Sequence, residues 1–218
     1  MMIKKKQPLT IKPRRGVCLV ISAPSGAGKS TIAQALQQSE LHVKHSISVT
    51  TRPPRPGEKE GVHYYFRSVE QFQTMVKEGE LLEWATVFKG SYGTPRAPVE
   101  AALQAGYDMI FDIDWQGHRQ IRKALPADVV SVFVLPPSLK ELERRLHGRG
   151  ADHHEDIAHR MSVAQDEISH WKEFDYVIVN AELEYAIAET RAILHAARLT
   201  TTRQISGLRQ FVTTLGVS

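Results

Sequence analysis

Val17-Cys18-Leu19-Val20-Ile21-Ser22 runs directly into Ala23-Pro24-Ser25-Gly26-Ala27-Gly28-Lys29-Ser30-Thr31, and a helical run from Thr31 to Gln38 follows. The first six residues are apolar and rich in β-branched types, the pattern of a buried strand. Strand, glycine-bearing loop and helix in that order are the context of a phosphate-binding loop. The unpaired N–H groups of the loop and of the first helical turn converge on one point, where an anion satisfies them. Gly26 and Gly28 permit the left-handed backbone such a loop needs. Lys29 is placed to reach the β- and γ-phosphates of a nucleoside triphosphate, with the Ser30 hydroxyl on Mg²⁺. Ala23 stands where the pattern has its first glycine. A chance Gly-Lys-Ser turn explains neither the strand before it nor the helix after it.

Strands and helices alternate outward from this stretch. Tyr107–Asp114 reads as a second buried strand, and Val129–Leu135 and Asp175–Asn180 as further strands. Capping boxes at Ser68-Val69-Glu70-Gln71 and Ser138-Leu139-Lys140-Glu141 open helices, and a long helical pattern runs from Glu155 to Trp171. Another covers Ala181–Arg198, and residues 199–218 carry no clear pattern. The alternation predicts an α/β fold of the P-loop NTPase type, a parallel sheet with helices on both faces. Residues 46–95 break it and read as an inserted subdomain: a short β-branched run at 46–50, a strand at Val62–Phe66, an apolar run at Leu81–Phe88 and a polar turn at Ser91–Pro95.

The composition fits one domain: 218 residues, 42% hydrophobic, with no apolar run long enough to span a bilayer. The single cysteine, Cys18, lies inside the first strand, which excludes a disulfide framework and suits a reducing cytoplasm. Net charge is +4, but six bases and no acid fall in residues 1–15, leaving 22 bases against 24 acids elsewhere. The basic excess therefore belongs to a leader, read as a solvated, flexible tail, and no stable nucleic-acid or membrane partner is expected.

Three local features stay open on the residues alone. Arg52 and Arg55 sit in Thr51-Arg52-Pro53-Pro54-Arg55-Pro56-Gly57-Glu58, whose prolines forbid helix. They suit a phosphate grip with paired N–H donors, or equally a solvated basic loop. Glu83 interrupts an apolar run; buried, it needs partners, and otherwise it marks the exposed face of a strand. Acids at the end of 107–114 lie where α/β sheets collect ligands. Arg145, Arg149 and Arg160 read either as solvated helix faces or as groups converging on a triphosphate. His153-His154 has no third ligand apparent and reads as a solvated loop.

Taken together, the phosphate loop, Ser48–Glu58, Tyr92-Gly93-Thr94, Asp112-Ile113-Asp114-Trp115-Gln116-Gly117 and Leu146-His147-Gly148-Arg149-Gly150 resemble the guanylate kinases, P-loop enzymes that phosphorylate GMP. The resemblance covers residues 16–195, with a GMP-binding subdomain at 46–95 and a helical lid at 138–165, and leaves 196–218 as an extension. It implies that residues 23–31 bind ATP with Mg²⁺, Ser30 being the metal-side hydroxyl. It implies that Arg52, Arg55, Tyr64 and Tyr92 grip the GMP phosphate and that Glu83 accepts from guanine N1–H and the 2-amino group. Ser48, Thr94 and Asp112 match further contacts to the monophosphate. Lys29 acts in phosphoryl transfer with the lid arginines Arg145, Arg149 and Arg160. Relatives read Asn-Asp-Asp where this chain has Asn180-Ala181-Glu182, so the adenine side is left unassigned, as is any homo-oligomer. A kinase for a phosphorylated sugar would not require Glu83 and Thr94, and a catalytically dead peptide-binding module would not require Lys29 and Ser30.

Overall fold

The computed structural model describes residues 14–87, 90–147 and 154–216. In chain order the elements are β1 (Cys18–Ser22), α1 (Lys29–Ser39), β2 (Val43–His45), β3 (Val49–Thr50), β4 (Tyr65–Phe66), α2 (Val69–Lys77), β5 (Leu81–Val87) and β6 (Gly90–Pro95). They continue with α3 (Arg96–Gln104), β7 (Asp108–Asp112), α4 (Trp115–Ala124), β8 (Val129–Leu135), α5 (Leu139–His147) and α6 (His154–Ser169). A 3₁₀ turn at His170–Glu173, β9 (Tyr176–Val179), α7 (Leu183–Arg198) and α8 (Thr201–Thr214) complete the chain.

β1 is the middle strand of a five-stranded parallel sheet ordered β2-β7-β1-β8-β9. All five of its residues are buried, because alternate side chains serve opposite layers. Leu19 and Ile21 pack with Ile32 and Leu36 of α1 and Leu194 of α7. Cys18 and Val20 pack with Leu103 of α3 and Ile121 of α4. The expected α/β architecture is therefore present.

The second sheet, ordered β4-β3-β6-β5, has four strands, two of them only two residues long, and a small core of Val49, Phe72 and Leu81. Two expectations need correction there. Residues 91–95 form strand β6, not a turn: Ser, Gly and Pro look like loop residues, yet Gly93 lets β6 press on β5, where a Cβ would meet Glu83 O and Leu81 Cδ1 at 2.9 Å. The run at 62–66 contributes only Tyr65–Phe66 as a strand, Val62 and His63 being turn and Tyr64 an isolated bridge to Glu60. The Ser68–Gln71 capping box forms in both directions.

At the opposite end of the central sheet the chain is fastened by arginines. Arg14 pairs with Asp108 at 2.7 Å and Arg15 grips Asp128 with two hydrogen bonds of 2.8 and 2.7 Å. These two bases, read with the leader, thus belong to the folded body; residues 1–13 lie outside the described residues. The unpatterned C-terminal stretch forms α8, whose buried Arg203 donates to the carbonyls of Gly16, Ala127 and Asp128 at 2.9, 3.1 and 2.8 Å. No described helix is long and apolar enough to cross a membrane.

Candidate active site

The loop from Ala23 to Gly28 joins β1 to α1. Gly26 and Gly28 take φ of 91° and 101°, and Gly28 is the N-terminal cap of α1. Ala23 replaces a glycine without strain because its methyl group packs into the core. Asn180, just past β9, donates through Nδ2 to the Ala27 carbonyl at 2.8 Å and lies so close that a Cβ at Gly28 would sit 2.3 Å from it. Lys29 Nζ donates to the carbonyls of Asp112 and Ile113 at 3.1 and 3.3 Å. Its burial lowers the ammonium pKa against the pull of Asp112, Asp114 and Glu167. Ser30 Oγ donates to Asp112 Oδ2 at 2.9 Å, and Asp112 Oδ1 faces His45 Nε2 at 3.3 Å. Burial pushes the Asp112 carboxyl up, but His45, Lys29 and Ser30 outweigh it and hold it below the usual range.

Ala23, Pro24, Ser25, Gly26, Gly28, Lys29 and Ser30 line a cleft of about 200 Å³ together with Glu167 of α6, whose Oε2 accepts from the Ser25 N–H at 3.3 Å. Thr31 is exposed on the first turn of α1. Of the three candidate lid arginines, Arg145 bonds Glu141 at 2.8 Å and the Asn180 carbonyl at 3.1 Å, beside the loop. Arg160 is half-buried on α6, and Arg149 lies outside the described residues.

The second constellation lies on the small sheet. Glu83 is only 8% exposed, opposite Thr94 in the β5–β6 register, and Thr94 Oγ1 donates to its Oε1 at 2.7 Å. Burial raises its pKa to about 7; the Thr94 hydrogen bond pulls it down and the nearby Asp114 pushes it further up. Arg52 is held by Glu58 through two hydrogen bonds of 2.9 and 2.8 Å, and its guanidinium lies 5.3 Å from the Tyr64 ring centroid. Tyr64 in turn meets Tyr92 edge-on at 6.1 Å. Three of the four expected phosphate-gripping side chains are therefore neighbours. Arg55 is exposed, its N–H bonded to Glu58 at 2.7 Å. Ser48 precedes β3, its carbonyl accepting from Tyr65 N at 2.9 Å.

The two constellations meet at the β7–α4 junction, where the Asp112 and Ile113 carbonyls hold Lys29 and Gly117, on the first turn of α4, lies so close to Glu83 that a Cβ there would be 3.4 Å from its Oε2. The family model described as guanylate kinase matches residues 15–197. The chain belongs to the guanylate kinase family. It is similar to the guanylate kinase of Gluconobacter oxydans, 68% identical over 196 residues, covering 90% of this chain and 94% of that protein. It is also similar to the Granulibacter bethesdensis guanylate kinase, 57% identical over 212 residues, with 97% and 99% covered. Among solved structures, the Anaplasma phagocytophilum guanylate kinase superposes with a TM-score of 0.73 at 38% identity, covering 94% of this chain and 96% of that one.

Within this guanylate kinase fold, sequence reading passed over several groups at the two sites. Glu58, at the end of the proline-rich loop, fixes Arg52 and accepts from the Arg55 N–H; the Arg52 guanidinium brings its carboxyl down to about 2. Glu167 and Asn180 reach the phosphate loop, and His45 reaches Asp112, only through the tertiary fold. The six-residue spacing of Arg52 and Glu58 was the one local signal available.

Proposed function

We propose that the chain transfers the γ-phosphoryl group of ATP to a phosphate oxygen of GMP or dGMP, releasing ADP and the corresponding diphosphate, in the cytoplasm. Residues 23–31 would bind ATP. Residues 46–95 would bind the monophosphate, with Arg52, Arg55, Tyr64 and Tyr92 on its phosphate and Ser48, Glu83, Thr94 and Asp112 on the rest. The observation that carries this reading is the pairing of a lysine-bearing phosphate loop with a buried carboxylate across one strand–helix junction.

Glu83, set to accept from two adjacent N–H groups, selects guanine, because adenine presents an acceptor at N1 and leaves the carboxylate unpaired. The attacking oxygen is already ionised, so catalysis is alignment and charge neutralisation rather than proton abstraction. Lys29 and the lid arginines on α5 and α6 would carry the charge that develops between the β- and γ-phosphates. The Ser30 hydroxyl and Asp112 carboxylate, 2.9 Å apart, are oxygen donors that suit a hard divalent cation. Among the described residues no group of three or more His, Cys, Asp or Glu is arranged as a metal cage. Mg²⁺ would therefore be shared with the nucleotide phosphates, supplying charge neutralisation there.

The test is product formation from Mg-ATP with GMP, dGMP, AMP, CMP, UMP and dTMP, with Lys29→Ala alongside. GDP and dGDP alone should form, and kcat should fall about a hundredfold or more in the variant. A folded protein that turns over none of the six monophosphates would overturn the reading.

A further inference from the structure

β5 is an edge of the small sheet, and an edge strand leaves main-chain donors and acceptors without strand partners. At Trp84, the residue after Glu83, a side chain from the central body fills that role. Gln120 of α4 accepts from the Trp84 N–H through Oε1 at 3.0 Å and donates to the Trp84 carbonyl through Nε2 at 3.0 Å. One carboxamide thus stands in for a residue of a neighbouring strand. Three positions earlier, on the same face of α4, Gly117 is so close to Glu83 that a Cβ there would lie 3.4 Å from Glu83 Oε2 and 3.1 Å from Ile113 Cδ1. The carboxylate is therefore bounded by Thr94 on its own sheet and by bare backbone on α4, while the next peptide is clasped by Gln120.

We propose that Gln120 is a positioning residue for base selection: its clasp on Trp84 fixes Glu83 against α4 and so sets the discrimination for guanine. The inference rests on Glu83 reading the base, as proposed above. Only an amide serves both ends of the clasp. Glutamate keeps the acceptor for Trp84 N–H but sets a carboxylate against the Trp84 carbonyl, and alanine removes both bonds. Because α4 is capped by Asp114, beside the β7 end that holds Ser30 and Lys29, the clasp also ties the base pocket to the frame of the phosphate loop.

The experiment compares kcat/KM for GMP and for IMP, which lacks the 2-amino group, in the wild-type protein and in Gln120→Ala, Gln120→Glu and Glu83→Gln, with melting temperatures measured in parallel. Loss of the clasp should lower the GMP-over-IMP ratio about tenfold in Gln120→Ala, the scale of two ordinary hydrogen bonds. The ratio should fall less in Gln120→Glu, and KM for ATP should stay within about twofold. A lowered melting temperature with an unchanged ratio would make Gln120 a structural clamp only and overturn the proposal. If Glu83→Gln also leaves the ratio unchanged, the base-reading assignment itself fails and takes this inference with it. A ratio that collapses in Glu83→Gln but not in either Gln120 variant overturns the positioning role alone.

Discussion

The phosphate loop and the pocket around Glu83 are made of different material. The loop offers mainly main chain: N–H groups, two left-handed glycines and one lysine, set on a central strand buried on both faces. The pocket offers side chains from a small mixed sheet, drawn from residues as far apart as Arg52 and Thr94. A backbone site gets its shape from one local stretch and its rigidity from the sheet behind it. A side-chain site has to be assembled, and here each principal group has a keeper: Glu58 for Arg52, Thr94 for Glu83. On the proposed reading, the first arrangement would recognise a charge common to all triphosphates, and the second would read one base.

This contrast is sharpest when one methyl group is added to each region. Gly28→Ala forces a Cβ to 2.3 Å from Asn180 Nδ2 at φ 101°, and should reduce kcat/KM for ATP by about a hundredfold with GMP binding intact. Gly93→Ala brings a Cβ to 2.9 Å from the Glu83 carbonyl, and should spare ATP while raising KM for GMP about tenfold. Equal loss for both substrates in either variant would show that the two regions do not act separately.

The pH dependence separates them again. On the proposed reading Glu83 must be ionised to accept two N–H groups, and burial pushes its pKa up to about 7. From pH 8 to pH 6, kcat/KM for GMP should fall about tenfold, following loss of the carboxylate, and Glu83→Gln should abolish this dependence along with most of the activity. Stability runs the other way. The folded-state pKa lies above the ordinary 4.5, so the folded protein holds this proton more tightly than the unfolded chain does. The Glu83 contribution therefore weakens as pH rises between about 4.5 and 7. The melting temperature of Glu83→Gln should gain on the wild type over that window, a shift of a few degrees at most, read by calorimetry.

The same contrast explains what the sequence disclosed. Val17–Thr31 could be read directly because its apolar run, its glycines and its lysine act on neighbours within a few residues. Strands β7 and β8 were legible for the same reason, each largely buried and mostly apolar. In the small sheet, Gly93 and Thr94 looked like a turn because the close approach that makes them a strand comes from β5. Glu83 and the Arg52–Arg55 loop were ambiguous from the residues alone, and only the family resemblance gave them roles. Gln120 and Trp84 stand 36 positions apart, and Ser25 and Glu167 stand 142 apart. No periodicity or spacing could have paired them.

Arg203 adds a consequence in time. Its guanidinium reaches the Gly16 carbonyl across 187 positions and the Asp128 carbonyl across 75. On a growing chain, the start of β1 and the lead into β8 are made long before the arginine that ties their carbonyls together. Every strand of both sheets is made before α8, so the carbonyls at that end have only water for this contact until Arg203 is made.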